Sequence, residues 1–91
     1  MLIRGENGTV TLAGRQVAKI TRYQAEYDPA GIDIDATTTD VNEYWLSRGG
    51  PFVVVLMLGK ERLTWREASA SRAGDGLHIT ADGRPEVYGT K

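Results

Sequence analysis

The sequence predicts a mainly β protein, an antiparallel β-sandwich or incomplete β-barrel with one short helix at about residues 40–48. Three observations carry that prediction. Apolar residues alternate with polar ones at period two, most clearly in Ile32-Asp33-Ile34-Asp35-Ala36, the spacing that sorts side chains onto opposite faces of a strand. Glycine-containing pairs such as Asn7-Gly8, Ala13-Gly14, Gly59-Lys60 and Asp82-Gly83 punctuate the chain at short intervals, as hairpin turns do. A helical period is seen where Val41, Tyr44 and Trp45 fall at i, i+3 and i+4.

In chain order, Leu2-Ile3-Arg4 and Thr9–Leu12 flank Asn7-Gly8 and are expected to form a first hairpin. Ala13-Gly14 then leads into a long strand from Gln16 to Tyr27. Strict alternation puts Val17, Lys19, Thr21, Tyr23, Ala25 and Tyr27 on one face and Ala18, Ile20 and Arg22 on the other. Both faces are mixed, as in a strand that crosses from a core to a surface or into a partner. Asp28-Pro29-Ala30-Gly31 reads as a turn, and Ile32–Ala36 as a half-buried strand with its aspartates outward. Asp40 is expected to cap the helix with Glu43 as its capping-box partner, and Gly49-Gly50 to stop it. Phe52–Leu58 is apolar on both faces and is expected to be a central strand covered on both sides. Gly59-Lys60 turns the chain into Glu61–Ala68, with Leu63 and Trp65 on one face and Arg62, Thr64 and Arg66 on the other. Ser69–Gly76 reads as a small polar loop. Leu77–Ala81 and Glu86–Tyr88 are expected to close a last hairpin about Asp82-Gly83, with Pro85 marking the start or edge of its second strand.

A chain of 91 residues supports one hydrophobic core, hence a single β-rich domain over 1–91. At this size, and with no cysteine to form disulfides or thiolate metal sites, oligomerisation is a natural source of additional burial. Eleven Lys and Arg against twelve Asp and Glu leave a net charge of -1, which gives no overall drive toward nucleic acid or an anionic membrane. The apolar run Phe52–Leu58 is far short of the roughly 20 residues that cross a bilayer, and the first six residues lack the pattern of a signal peptide. A soluble chain, not exported through the secretory pathway, is expected.

Reactive constellations are hard to find. His78, the sole histidine, lies in an alternating strand beside no nucleophile and reads as an outward-facing residue, not a catalytic base. Asp28, Asp33, Asp35 and Asp40 lack the Asp-x-Asp-x-Asp-Gly turn of a calcium loop, and the outward aspartates of Ile32–Ala36 read as guards against strand aggregation. Neither Gly49-Gly50 nor Gly74-Asp75-Gly76 opens a helix, so no phosphate loop is present. Arg15, Lys19 and Arg22, Arg62, Arg66 and Arg72, and the rings of Tyr23, Tyr27 and Trp45 are the components of a single-strand-binding surface. Interspersed acids make them read as solvated strand faces instead. Trp45 and Trp65 read as core anchors, with interface hot spots as the alternative. No catalytic residue, metal or cofactor is assigned, and the chain is not expected to be an enzyme.

The stretches Gly8–Tyr23 and Ile32–Thr39, the strand around Trp65 and the closing Gly76–Gly83, in that order, resemble the small tail tube proteins of long-tailed bacteriophages and the relatives of that fold in other virion parts. The resemblance implies a β-sandwich or incomplete barrel with one flanking helix, stacked as hexameric rings around a lumen through which DNA passes. It implies a virion protein, assembled in the host bacterial cytoplasm, whose partners are copies of itself and other virion proteins, with no sequence-specific DNA contact, membrane or cofactor. Within it, Asp33 and Asp35 are the expected lumen-facing carboxylates, repelling DNA phosphates. The strand Gln16–Tyr27 and the loop Ser69–Gly76 are the expected polymer contacts, through Val17, Lys19, Thr21, Tyr23, Tyr27, Arg72 and Asp75. The chain is shorter than most tube subunits and has no long loop to reach the next ring, which leaves a capsid decoration or neck role as an alternative. The alternative from another class is a small β-barrel adaptor or binding module for a protein or nucleic-acid partner.

Overall fold

Two long strands organise the molecule, β3 (Arg15–Asp28) and β6 (Glu61–Ala73), each paired along one edge with a broken partner. The computed structural model describes residues 1–89. The remaining elements are β1 (Leu2–Gly5), β2 (Asn7–Leu12), β4 (Gly31–Thr39), α1 (Glu43–Arg48), β5 (Phe52–Leu58), β7 (Gly76–Asp82) and β8 (Glu86–Gly89). All pairings are antiparallel, and β3–β2–β5–β6–β7–β4 closes on itself through β4–β3 as a six-stranded barrel. The mainly β expectation holds. The barrel interior is solid: Val10, Ile20, Ile34, Val54, Leu56 and Ile79 are wholly buried, with the Phe52 and Tyr23 rings beside them. Among the described residues no helix is long and apolar enough to cross a membrane.

The expected first hairpin is not formed. β1 and β2 lie end to end along the same edge of β3, with Leu2 opposite Glu26 and Gly8 opposite Ile20. Gly8 is therefore a strand residue, and it is needed for closeness: a Cβ there would meet the Val55 carbonyl oxygen at 2.5 Å. Gly5, at the break, leaves room for the Tyr23 ring, whose hydroxyl donates to the Met57 carbonyl at 2.6 Å and ties the broken edge to β5. The genuine turns include Ala13-Gly14, with φ of 51° and 80°, and Pro29-Ala30, where the Asp28 carboxylate accepts from the amides of Ala30 and Gly31 at 2.8 and 3.1 Å.

The mixed faces of β3 come from two bulges. Val17 has no opposite number between Thr11–Gln16 and Val10–Ala18, and Thr21 none between Ile20–Thr38 and Arg22–Thr37. Each extra residue flips the alternation. Ala18 and Ile20 therefore point inward before Thr21, and Tyr23 and Ala25 after it. The Val17 bulge also positions α1, because its carbonyl accepts the Asn42 amide at 2.7 Å.

Five further expectations are corrected. The helix cap is Asn42, whose side chain accepts from the Trp45 amide at 3.2 Å; Asp40 sits in the preceding bend at φ 53°. Leu46 is the buried residue of α1, while Tyr44 is exposed. β5 is central, between β2 and β6, but only Phe52, Val54 and Leu56 are buried; Val53, Val55 and Met57 are half-exposed, since a closed barrel has only one interior. Ser69–Ala73 is not loop but the second half of β6, which bulges between Trp65 and Ala68 and then pairs with β7. Finally, β8 pairs with β6 and not β7, so β7 and β8 form a second broken strand, interrupted at Gly83–Pro85. Trp65 spans that break by donating its indole N–H to the Gly83 carbonyl at 3.3 Å.

Candidate functional site

Ile32, Ile34 and Ala36 anchor β4 in the core and so turn Asp33 and Asp35 outward, as expected. The β4–β7 register then sets Asp35 opposite His78. His78 Nε2 lies 2.8 Å from Asp33 and Nδ1 3.0 Å from Asp35. Both nitrogens carry a proton only in the imidazolium form, which this geometry favours. The hydrogen bond that His78 donates to Asp35 does most to raise the His78 pKa above its ordinary value; partial burial opposes this, and the charges of Asp33 and Asp35 add to it. Among the described residues no cluster of His, Cys, Asp or Glu is arranged to hold a metal ion.

The seven residues expected at a polymer contact separate into two groups. Val17 and Tyr23 lie in the chain's own core, at 0% and 2% exposure, and cannot present themselves to a second copy; the bulge at Val17 and the parity change at Thr21 put them there. Lys19, Arg72 and Asp75 are exposed and Thr21 and Tyr27 half-buried. Thr21 donates to the Thr37 carbonyl at 3.1 Å, and Thr37 pairs with Gly76, so Thr21 and the β6–β7 turn holding Asp75 share one end of the barrel. Arg72 forms an ion pair there with Glu43 of α1. Tyr27 is at the other end, edge-on to Trp65 with ring centres 6.1 Å apart.

A depression of about 580 Å³ is an open groove over the β1–β2 break, lined by Arg4, Glu6, Arg22, Gln24 and Asp35 above Tyr23. Its charges are mixed. On α1, Trp45 carries the guanidiniums of Arg15 and Arg48 at 5.0 and 5.7 Å from its ring centre, and exposed Tyr44 stacks edge-on beside it at 5.2 Å. Trp65 is a core anchor, whereas Trp45 is a half-buried clamp between arginines.

Sequence reasoning missed the strand edges. β1 pairs only with β3 and β8 only with β6 among the described residues, so each leaves a row of backbone donors and acceptors free of sheet partners. Leu2 on β1 and Val87 and Tyr88 on β8 are 48%, 54% and 49% exposed. Arg66 holds β8 in place through a two-pronged contact from Nε to the Glu86 carboxylate, 3.0 Å to each oxygen, and the Tyr88 hydroxyl donates to the same carboxylate at 2.8 Å. These contacts hold the Glu86 carboxyl below its usual pKa. Fold and surface together define a small closed β-barrel with a packed interior and two open strand edges. No family model, curated protein or solved structure matches the chain.

Proposed function

We propose that this chain is a self-assembling structural protein of a tailed-bacteriophage virion, tail tube-like, whose copies form rings around a DNA lumen. The observation that carries the reading is the pair of open edges on a barrel whose interior is already full. A filled barrel offers no room for a substrate, and unpaired edges are templates for another chain. A head-to-tail contact between unlike edges closes into a ring when its rotation divides a full turn. In this reading Asp33 and Asp35 line the lumen, with His78 moderating their charge. Sedimentation across a concentration series, followed by negative-stain microscopy, tests it. Rings or tubes support the tube role, and binding only to assembled capsids or necks supports a decoration or neck role. A chain that stays monomeric both alone and with virion proteins overturns self-assembly.

A second reading, a small β-barrel adaptor for a protein or single-stranded nucleic acid, draws on the Arg15–Trp45–Arg48 clamp and the exposed Tyr44 ring. Nucleic-acid binding there weakens steeply with added salt as counterions cease to be released, which separates it from an apolar contact between copies.

A further inference from the structure

We infer that the contact between copies is an antiparallel pairing of the β1 edge of one chain with the β8 edge of the next, in the register Leu2–Tyr88, Ile3–Val87, Arg4–Glu86. The inference rests on the self-assembly reading and specifies its surfaces. The pleat selects the pairing. On β1, Ile3 faces the core while Leu2 and Arg4, opposite Glu26 and Gln24, face outward. On β8, Val87 stands opposite core-facing Leu63, and Glu86 and Tyr88 opposite Thr64 and Arg62. The register therefore matches core side to core side and outer side to outer side, as one continuous sheet requires.

Chemistry selects the same register. Val87 is on the core side of its strand yet 54% exposed, because β8 lies beyond the closed wall of the barrel and no described residue covers it. Ile3 of a neighbouring copy would extend the apolar layer to Val87, and Leu2 would pack on the Tyr88 ring, a favourable cross-strand pair. Arg4 has no carboxylate partner among the described residues, while Glu86 uses its carboxylate on Arg66 and Tyr88 and retains acceptor capacity for a further donor. One step further along, Gly5 meets Pro85, which has no N–H, so the ladder ends where the strands end. Pairing β1 with β1 about Ile3, or β8 with β8 about Val87, would instead set Arg4 opposite Leu2 and Glu86 opposite Tyr88, and neither charge would meet its opposite. The contact is thus between unlike edges, and it propagates.

The absence of native cysteine allows a clean test. L2C and Y88C are made separately, at positions already half in water, then mixed and oxidised; directly opposite antiparallel residues come within disulfide reach. A short bis-maleimide serves as a second reagent that does not require disulfide geometry. The mixed dimer in excess over both homodimers, and a ladder of higher species from the L2C/Y88C double variant, are the expected results. Homodimers matching or exceeding the mixed dimer overturn the unlike-edge pairing. No cross-link in a sample whose unmodified chain sediments as an oligomer overturns these edges but leaves self-assembly standing, whereas an unmodified chain that sediments only as monomer removes both.

Discussion

His78 makes a single residue's protonation legible as a property of the fold. Each ring nitrogen faces a carboxylate, Asp33 at 2.8 Å and Asp35 at 3.0 Å, and the pKa is raised, chiefly by the Asp35 hydrogen bond. A group whose pKa is higher in the folded chain than in the unfolded one contributes stability below its unfolded value, about 6.5, and loses it as the pH rises through the folded value. The wild-type melting temperature is therefore expected to fall between mildly acid and mildly alkaline pH relative to that of His78→Gln. The difference is small, under about 1 kcal/mol, because the pair is solvent-exposed. Thermal melts across that range, with the imidazole titration followed by NMR, check it; parallel pH profiles for the two proteins would remove the ion pair from the account. The outward direction of Asp33, Asp35 and His78 was readable from alternation within each strand. Their meeting was not, since it depends on the β4–β7 register and periodicity within one strand carries no information about its neighbour.

At the scale of elements, misreadings cluster where an extra residue enters a strand or where a local signal serves another purpose. Alternation in Ile32–Ala36 predicts its burial correctly because β4 runs there without a bulge. In β3 and β6 the same rule fails, since bulges at Val17, Thr21 and around Arg66-Glu67 reset the parity. Asn7-Gly8 has the composition of a turn, but glycine also permits the close approach of β5 to β2, and tertiary packing decides between the two. Likewise Asp40 and Asn42 are both good cap residues, and the hydrogen bond that the Asn42 backbone N–H donates to the Val17 carbonyl selects Asn42. Asn42→Ala is accordingly expected to destabilise the chain by about 1 kcal/mol, read as a lower denaturant midpoint with unchanged slope. Asp40→Gly, which preserves the positive φ and removes the carboxylate, should leave the midpoint unchanged or raise it. The opposite order for the two variants would restore Asp40 as the cap.

At the scale of the molecule, closure of six strands satisfies the barrel wall and shifts the unpaired backbone to the two short strands outside it. Natural sheets protect such edges with lysine, proline or a covering loop. Here β1 carries Arg4 alone and β8 is preceded by Pro85 but has no lysine of its own, while Val87 and Tyr88 extend into water on opposite faces. Edges protected this lightly are ones that association would bury. Val87→Lys places a charge at the centre of the β8 edge without removing a core residue, as Leu63 opposite it remains packed in the barrel. The folded chain is expected to keep its unfolding free energy within about 0.5 kcal/mol, while its self-association weakens strongly because a Lys ammonium must lose its hydration against Ile3 of the next copy. Sedimentation velocity at matched concentrations, together with denaturant unfolding, separates the two effects. Undiminished association would show that the contact lies elsewhere on the barrel. Loss of folding would make β8 part of the wall that holds Trp65 in place, and not a surface left open for another chain.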